Sequence, residues 1–125
     1  MRMWMVDPKI MCRKHLLGEH VESHMFIGTL RKRKKVDGYI RNNCLQPRAL
    51  FERHNVLVCE MQRRGYNHKT PIAEEDCDVC HLPLEYQHWE INCSQSMQDL
   101  LERCPECRSR KEQLDGSQRP IHQEG

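Results

Sequence analysis

Long apolar runs are missing from this chain of 125 residues. No stretch approaches the roughly 18 to 20 consecutive apolar residues that a membrane-spanning helix needs. The opening MRMWMVDPKIMCRKH also lacks the apolar core and small-residue cleavage site of a secretory signal. These absences lead us to expect a soluble, cytoplasmic protein without a membrane partner. Strand patterning is equally scarce, since no alternation of apolar and polar residues extends beyond a few positions, and no internal repeat occurs. What is present is helical periodicity, an uneven distribution of charge and eight cysteines.

The net charge of +2 conceals a division along the chain. Residues 1–72 carry 15 Lys and Arg against 6 Asp and Glu, whereas residues 73–125 carry 5 against 12. A compact unit with such an excess of positive charge steers association with a polyanion and releases counterions on binding, so the basic half is expected to meet nucleic acid. Its densest run, Arg31-Lys32-Arg33-Lys34-Lys35, suits a helix end or a loop facing phosphates.

Asp7-Pro8 is a helix start, with Asp as N-cap and Pro at the first position, where its missing N–H costs nothing. Helical signal continues to about Leu30, with a break or kink between Cys12 and Lys14. A second helix is predicted from Pro47 to Arg64, with Leu50, Leu57, Val58 and Met61 on its apolar face and Gly65 as its stop signal. A short third helix is predicted from Met97 to Arg103 with Ser96 as N-cap. The fold class that follows is all-α: a compact helical bundle, residues 1–72, with a small zinc-stabilised segment, residues 73–108. From Ser109 the chain is polar with little to bury, and a disordered tail, residues 109–125, is expected.

Cys77-Asp78-Val79-Cys80 and Cys104-Pro105-Glu106-Cys107 are two CxxC units separated by 23 residues, close to the paired-knuckle spacing of structural zinc sites. Two intervening residues allow both sulfurs of a tight turn to face one tetrahedral ion. Cys77, Cys80, Cys104 and Cys107 are therefore the expected zinc ligands, with His81, His88 and Cys93 as alternatives for one of them. Metal binding would supply the folding energy of a segment with few large apolar side chains. Four thiolates would close the coordination shell, so the zinc is expected to be structural rather than catalytic. A redox CxxC is the competing reading, but it calls for a βαβ context that is lacking. Cys12, Cys44 and Cys59 are expected to be buried as small hydrophobes.

In His15-Leu16-Leu17-Gly18-Glu19-His20-Val21-Glu22, spacings of four and seven put His15, Glu19 and Glu22 on one helix face. An imidazole and two carboxylates stacked in this way are equipped for acid–base work, although an exposed polar face would look the same. The α-amine of Met1 is a second chemical element. With Arg2 following, the methionine is expected to stay in place, and α-amines titrate near neutrality, so part of the population is a neutral nucleophile. An amine can attack a sugar C1′ or an abasic aldehyde to form a Schiff base, which acidifies the neighbouring C–H and permits β-elimination.

HLLGEHVE at residues 15–22 resembles the His-Leu-x-x-Glu-x-x-Glu segment of the pyrimidine dimer DNA glycosylases of the phage endonuclease V type. Arg64-Gly65-Tyr66-Asn67 is similar to the family's Arg-Gly-Phe-Asn stretch. In this register Met1 coincides with the nucleophilic amine, Arg2 with the arginine beside it and Glu22 with the catalytic glutamate. The resemblance implies a monomeric base-excision repair glycosylase and abasic-site lyase. Met1 and Glu22 would be catalytic, and the substrate would be double-stranded DNA carrying a pyrimidine dimer or an abasic site. The setting implied is the cytoplasm of a bacterial or phage-infected cell, and no cofactor is needed for catalysis. Arg2, His15, Glu19, Arg31, Lys32, Arg33, Lys34, Lys35, Arg64 and Lys69 are the residues expected at DNA. Val21 and Met25 stand where the best-known members carry arginines, and the CxxC segment replaces their aromatic, basic tail. A non-enzymatic, zinc-containing nucleic-acid-binding protein is the alternative, requiring only the charge division and the cysteines. A small interaction subunit docking through its tail is a third.

Overall fold

The computed structural model describes residues 1–68 and 70–117, and every regular element among them is helical. The chain enters through an extended segment and a 3-10 turn, Pro8–Ile10, whose N-cap Asp7 accepts from the Lys9 backbone N–H. The break expected near Cys12 is present. Helix α1, Arg13–Arg31, starts afresh after it, with Cys12 as N-cap accepting from the His15 N–H. Its buried residues, among them Leu16, Glu19, Ser23, Phe26, Ile27 and Leu30, recur every three or four positions and form its inner stripe.

A short helix α2, Asp37–Arg41, and a 3-10 turn, Pro47–Ala49, lead into α3, Leu50–Arg63, which packs against α1. The predicted second helix thus divides into a 3-10 entry and an α-helical body. Gly65 closes it with a φ of +84°, its N–H reaching Gln62 O and the Tyr66 N–H reaching Met61 O. Both bonds belong to the Schellman motif, and the left-handed residue between them favours glycine.

Beyond residue 72 come a 3-10 turn, Glu74–Cys77, and the helices α4, Leu84–Gln87, α5, Cys93–Arg103, and α6, Pro105–Ser117. Helix α5 begins four residues earlier than predicted because Asn92, not Ser96, caps it by accepting from the Gln95 N–H. Residues 109–117, expected to lack structure, form the rest of α6, and residues 118–125 of the expected tail lie outside the described residues. Arg110 anchors this helix by donating to Lys9 O from Nε and Nη2.

Two apolar clusters form the core. One joins Met3, Phe26, Ile27, Leu30 and Leu50 to Val79, Leu82 and Ile91, and the other joins Trp4, Ile10, Leu16, Leu57 and Met61 to Leu100, Cys104 and Cys107. Each combines side chains from both sides of the compositional boundary near residue 72. The acidic half therefore completes the core of the basic half, and α1 contributes to both clusters.

Candidate active site

The N-terminal segment is fastened at several points. The Met3 N–H donates to Cys44 O at 2.7 Å, Ser96 Oγ donates to Trp4 O, and Arg53 Nη1 donates to Val6 O at 2.7 Å. Between the last two anchors Met5 takes a left-handed φ of 55°, an uncommon conformation for a residue with a side chain, so the segment kinks here under constraint from both sides. Arg2 lies 3.9 Å over the Trp4 ring and donates from Nη2 to Asp99 Oδ2 at 3.0 Å. That hydrogen bond and a second one from Gln95 hold the Asp99 carboxyl below its ordinary range. Arg2, expected at DNA, is thus an internal fastening that ties the N terminus to α5.

These fastenings bring the Met1 amine to 3.9 Å from Glu22 Oε1 on α1. The pair lines a cleft of about 320 Å³ together with Trp4, Lys14, His15 and Arg103. Glu22 remains 31% exposed, so its carboxylate is accessible while it sits beside the Met1 amine. The cleft offers an amine, a neighbouring carboxylate and three cationic side chains, Lys14, Arg103 and Arg2, the last of which also pairs with Asp99. This set can form an imine, move a proton and attract a phosphodiester.

Glu19 shares the wall but turns its carboxylate inward. It is 1% exposed and receives Arg53 Nε on Oε2 at 2.6 Å and Nη2 on Oε1 at 3.0 Å. Expected at DNA, it is instead half of a buried ion pair between α1 and α3. Arg64 is similarly occupied, donating to Met11 O at 2.7 Å, to Pro8 O at 3.1 Å and to Glu60 Oε2 at 2.7 Å. Hydrogen bonds from Arg63 and Arg64 hold the Glu60 carboxyl below its ordinary range against the opposing effect of burial. Lys69 lies outside the described residues. The run from Arg31 to Lys35 is exposed throughout and follows the C-terminal end of α1, where the helix dipole favours cations. Only the guanidinium of Arg31 in this run has an ion-pair neighbour among the described residues, Asp76 at 3.9 Å.

Cysteines from distant parts of the chain also converge. Cys104 and Cys107 gather with Cys12 and His15, the four potential ligand atoms all lying within 4.8 Å of one another. Cys12 Sγ is 3.7 Å from Cys104 Sγ and 3.2 Å from His15 Nδ1, and Cys107 Sγ is 3.8 Å from the same nitrogen. Sulfurs on a tetrahedral zinc are about 3.7 to 3.8 Å apart, given a Zn–S bond of about 2.3 Å. The Cys3His donor set and its spacing therefore fit zinc. Cys12 caps α1 and Cys107 lies in the first turn of α6, so two helix N termini add positive potential where thiolates would form. Burial pushes the Cys107 thiol up to about 12, an effect that a bound cation would reverse.

Cys77 and Cys80 are elsewhere. Cys77 Sγ faces Ala73 O in the 3-10 turn Glu74–Cys77, and Cys80 is exposed. Neither they nor His81, His88 and Cys93 belong to a group of potential ligands among the described residues. Cys12, expected as a buried apolar filler, is buried but belongs to the group of potential ligands, whereas Cys59 is exposed and Cys44 half-buried. The missed signal was Cys12-Arg13-Lys14-His15, which has the same two-residue interval as the CxxC units. His15, expected at DNA, points into this cluster beside Trp4, and burial lowers its pKa below the usual imidazole value.

A family model described as pyrimidine dimer DNA glycosylase matches residues 1–74, more than half of the chain, and the chain belongs to that family. Neither the curated proteins nor the solved structures include a significant match. Among the described residues, no helix is long and apolar enough to cross a membrane.

Proposed function

We propose that this member of the pyrimidine dimer DNA glycosylase family excises damaged pyrimidines from double-stranded DNA and then nicks the strand as a lyase, working as a monomer. The observation that carries this reading is the Met1 amine 3.9 Å from Glu22 Oε1 at the edge of an open cleft. The uncharged amine attacks C1′ of the damaged nucleotide, and the glycosidic bond breaks with its electron pair leaving on the base. Opening of the sugar ring gives a protonated imine between Met1 and C1′. Glu22 stabilises the positive charge that develops on the sugar and exchanges protons with the ring oxygen and the amine. Loss of a C2′ proton then expels the 3′ phosphate by cleavage of C3′–O3′. Hydrolysis of the imine releases the unsaturated aldehyde and restores the amine. To expose C1′, the nucleotide is turned out of the duplex, which costs less at a damaged or unpaired base. The exposed run Arg31 to Lys35 supplies phosphate contacts.

Zinc held by Cys12, His15, Cys104 and Cys107 would supply structural cross-linking between the start of α1 and the start of α6, beside the cleft. His15 serves this reading as a positioning residue, since its ring lines the cleft while Nδ1 faces the sulfurs.

Borohydride trapping tests the proposal, using protein with its N terminus at Met1 and two duplexes, one with an abasic site and one with a single pyrimidine dimer. The expected result is a covalent adduct with both, mapping to the Met1 peptide and abolished by adding a residue before Met1. An adduct with the abasic duplex alone would retain the amine chemistry and remove the dimer as substrate. No adduct with either would leave a DNA-binding module without lyase activity.

A further inference from the structure

Four histidines converge on the side of α1 turned away from the Met1 cleft. His20 and His24 are one turn apart on α1, His54 lies on α3, and His68 follows the Gly65 turn. Their potential ligand atoms all lie within 4.8 Å of one another. At about 100° per residue, His20 and His24 project well away from Glu22, and none of the four lines the cleft.

Hydrogen bonding inside this cluster is incomplete. His54 Nδ1 pairs with Asn55 Oδ1 at 3.0 Å, and the His54 tautomer that carries its proton on Nδ1 would leave the Nε2 lone pair for a cation. Nε2 of His54 faces Nε2 of His24 at 3.2 Å, while Nε2 of His20 and Nε2 of His68 are buried without a hydrogen-bond partner. Neutral rings packed for their apolar surface alone would leave those nitrogens unpaired, which is costly. Across a tetrahedral zinc–imidazole centre, nitrogens are about 3.3 Å apart, given Zn–N bonds of about 2.0 to 2.1 Å.

We propose that His20, His24, His54 and His68 form a second metal site, a closed four-imidazole centre for a late first-row divalent cation, with zinc favoured because four-coordinate nitrogen ligation suits it. Neutral imidazoles are the ligands this class of cation prefers. The Asn55 contact is the kind of outer hydrogen bond that orients a ligating ring. His24 and His68 are only half-buried and give the ion a way in. The site would cross-link α1, α3 and the loop after Gly65 beside the Glu19–Arg53 pair, since His20 and His54 each adjoin a member of it. It is independent of the glycosylase reading and of the cysteine cluster.

The test is metal counting on the full chain, saturated with zinc under a non-thiol reductant and then gel-filtered. Wild type is expected to retain about two ions per chain. His24→Gln/His68→Gln, chosen because both positions are half-buried, should retain about one, as should Cys104→Ser. Cobalt(II) separates the sites, because only thiolate ligation gives strong sulfur-to-metal charge transfer. Cys104→Ser/Cys107→Ser should show the weaker bands of a nitrogen-ligated ion, and these should vanish when His24→Gln/His68→Gln is added. One ion in wild type, retained by the histidine variant and lost from the cysteine variant, would overturn the proposal, as would no retained ion at all. Circular dichroism of each variant verifies that it folds.

Discussion

Glu19 and Arg53 are joined through both carboxylate oxygens, at 2.6 and 3.0 Å, across the contact between α1 and α3, and both residues are buried. Arg53 also holds Val6 O, so one guanidinium connects two helices to the strap that carries Met1. The registration of the amine over Glu22 thus depends on a residue 31 positions away in sequence from that glutamate.

Arg53→Ala leaves the Glu19 carboxylate buried without its partner. Breaking such a pair from one side costs about 3 to 5 kcal/mol, far more than an exposed ion pair is worth. Urea unfolding should show a loss of this size at neutral pH, whereas a loss below about 1 kcal/mol would place the pair among interactions of little energetic consequence.

Glu22→Gln removes the proton-exchanging carboxylate while keeping the side chain's size. Single-turnover cleavage of a dimer-containing duplex should slow by at least about a hundredfold, the lower end of what positioned acid–base groups contribute. Anisotropy should show binding changed by less than about threefold, since Glu22 has no part in the phosphate contacts proposed. Unaltered turnover would take the carboxylate out of the mechanism.

Lys32, Lys34 and Lys35 are exposed, so replacing all three with Ala should leave the fold intact. Affinity for damaged and undamaged duplexes should fall together, and the log–log salt slope should become shallower by about 0.9 for each phosphate that is no longer neutralised. An unchanged slope would mean that the run faces away from DNA.

The Glu60 carboxyl is held low by Arg63 and Arg64, so the unfolded chain takes up a proton at a higher pH than the folded one. Its contribution is present above about pH 4.5, the ordinary carboxyl range, and is lost as pH falls through the lower folded value. Glu60→Gln should therefore be less stable than wild type near about pH 7, and the difference should shrink toward about pH 3. A gap independent of pH in paired urea titrations would assign the loss to packing rather than to charge.

Helix class and several boundaries were legible locally. The helical spacing of Leu50, Leu57, Val58 and Met61, the Asp7-Pro8 start and the Gly65 stop all act within a few turns, where propensity and capping decide the outcome. The N-cap at Asn92 was missed because Ser96 is also a good capping residue, and burial against Trp4 claimed its hydroxyl. Residues 109–117 read as a tail because their composition offers little to bury, but α6 is tethered through Arg110 and the buried Cys107.

By itself, the sequence determined an all-α chain with a basic first half, a His15, Glu19 and Glu22 stretch within one helix, and a family resemblance over its first half. Only the tertiary structure decided which of these polar groups face solvent and which are spent inside. Glu19, Arg2 and Arg64 were drawn into internal ion pairs, and Cys104 and Cys107 met Cys12 and His15 rather than Cys77 and Cys80. The reason is physical: backbone propensity acts over a few residues, whereas ion pairing and ligation require atoms within about 4 Å, a condition set by how helices dock.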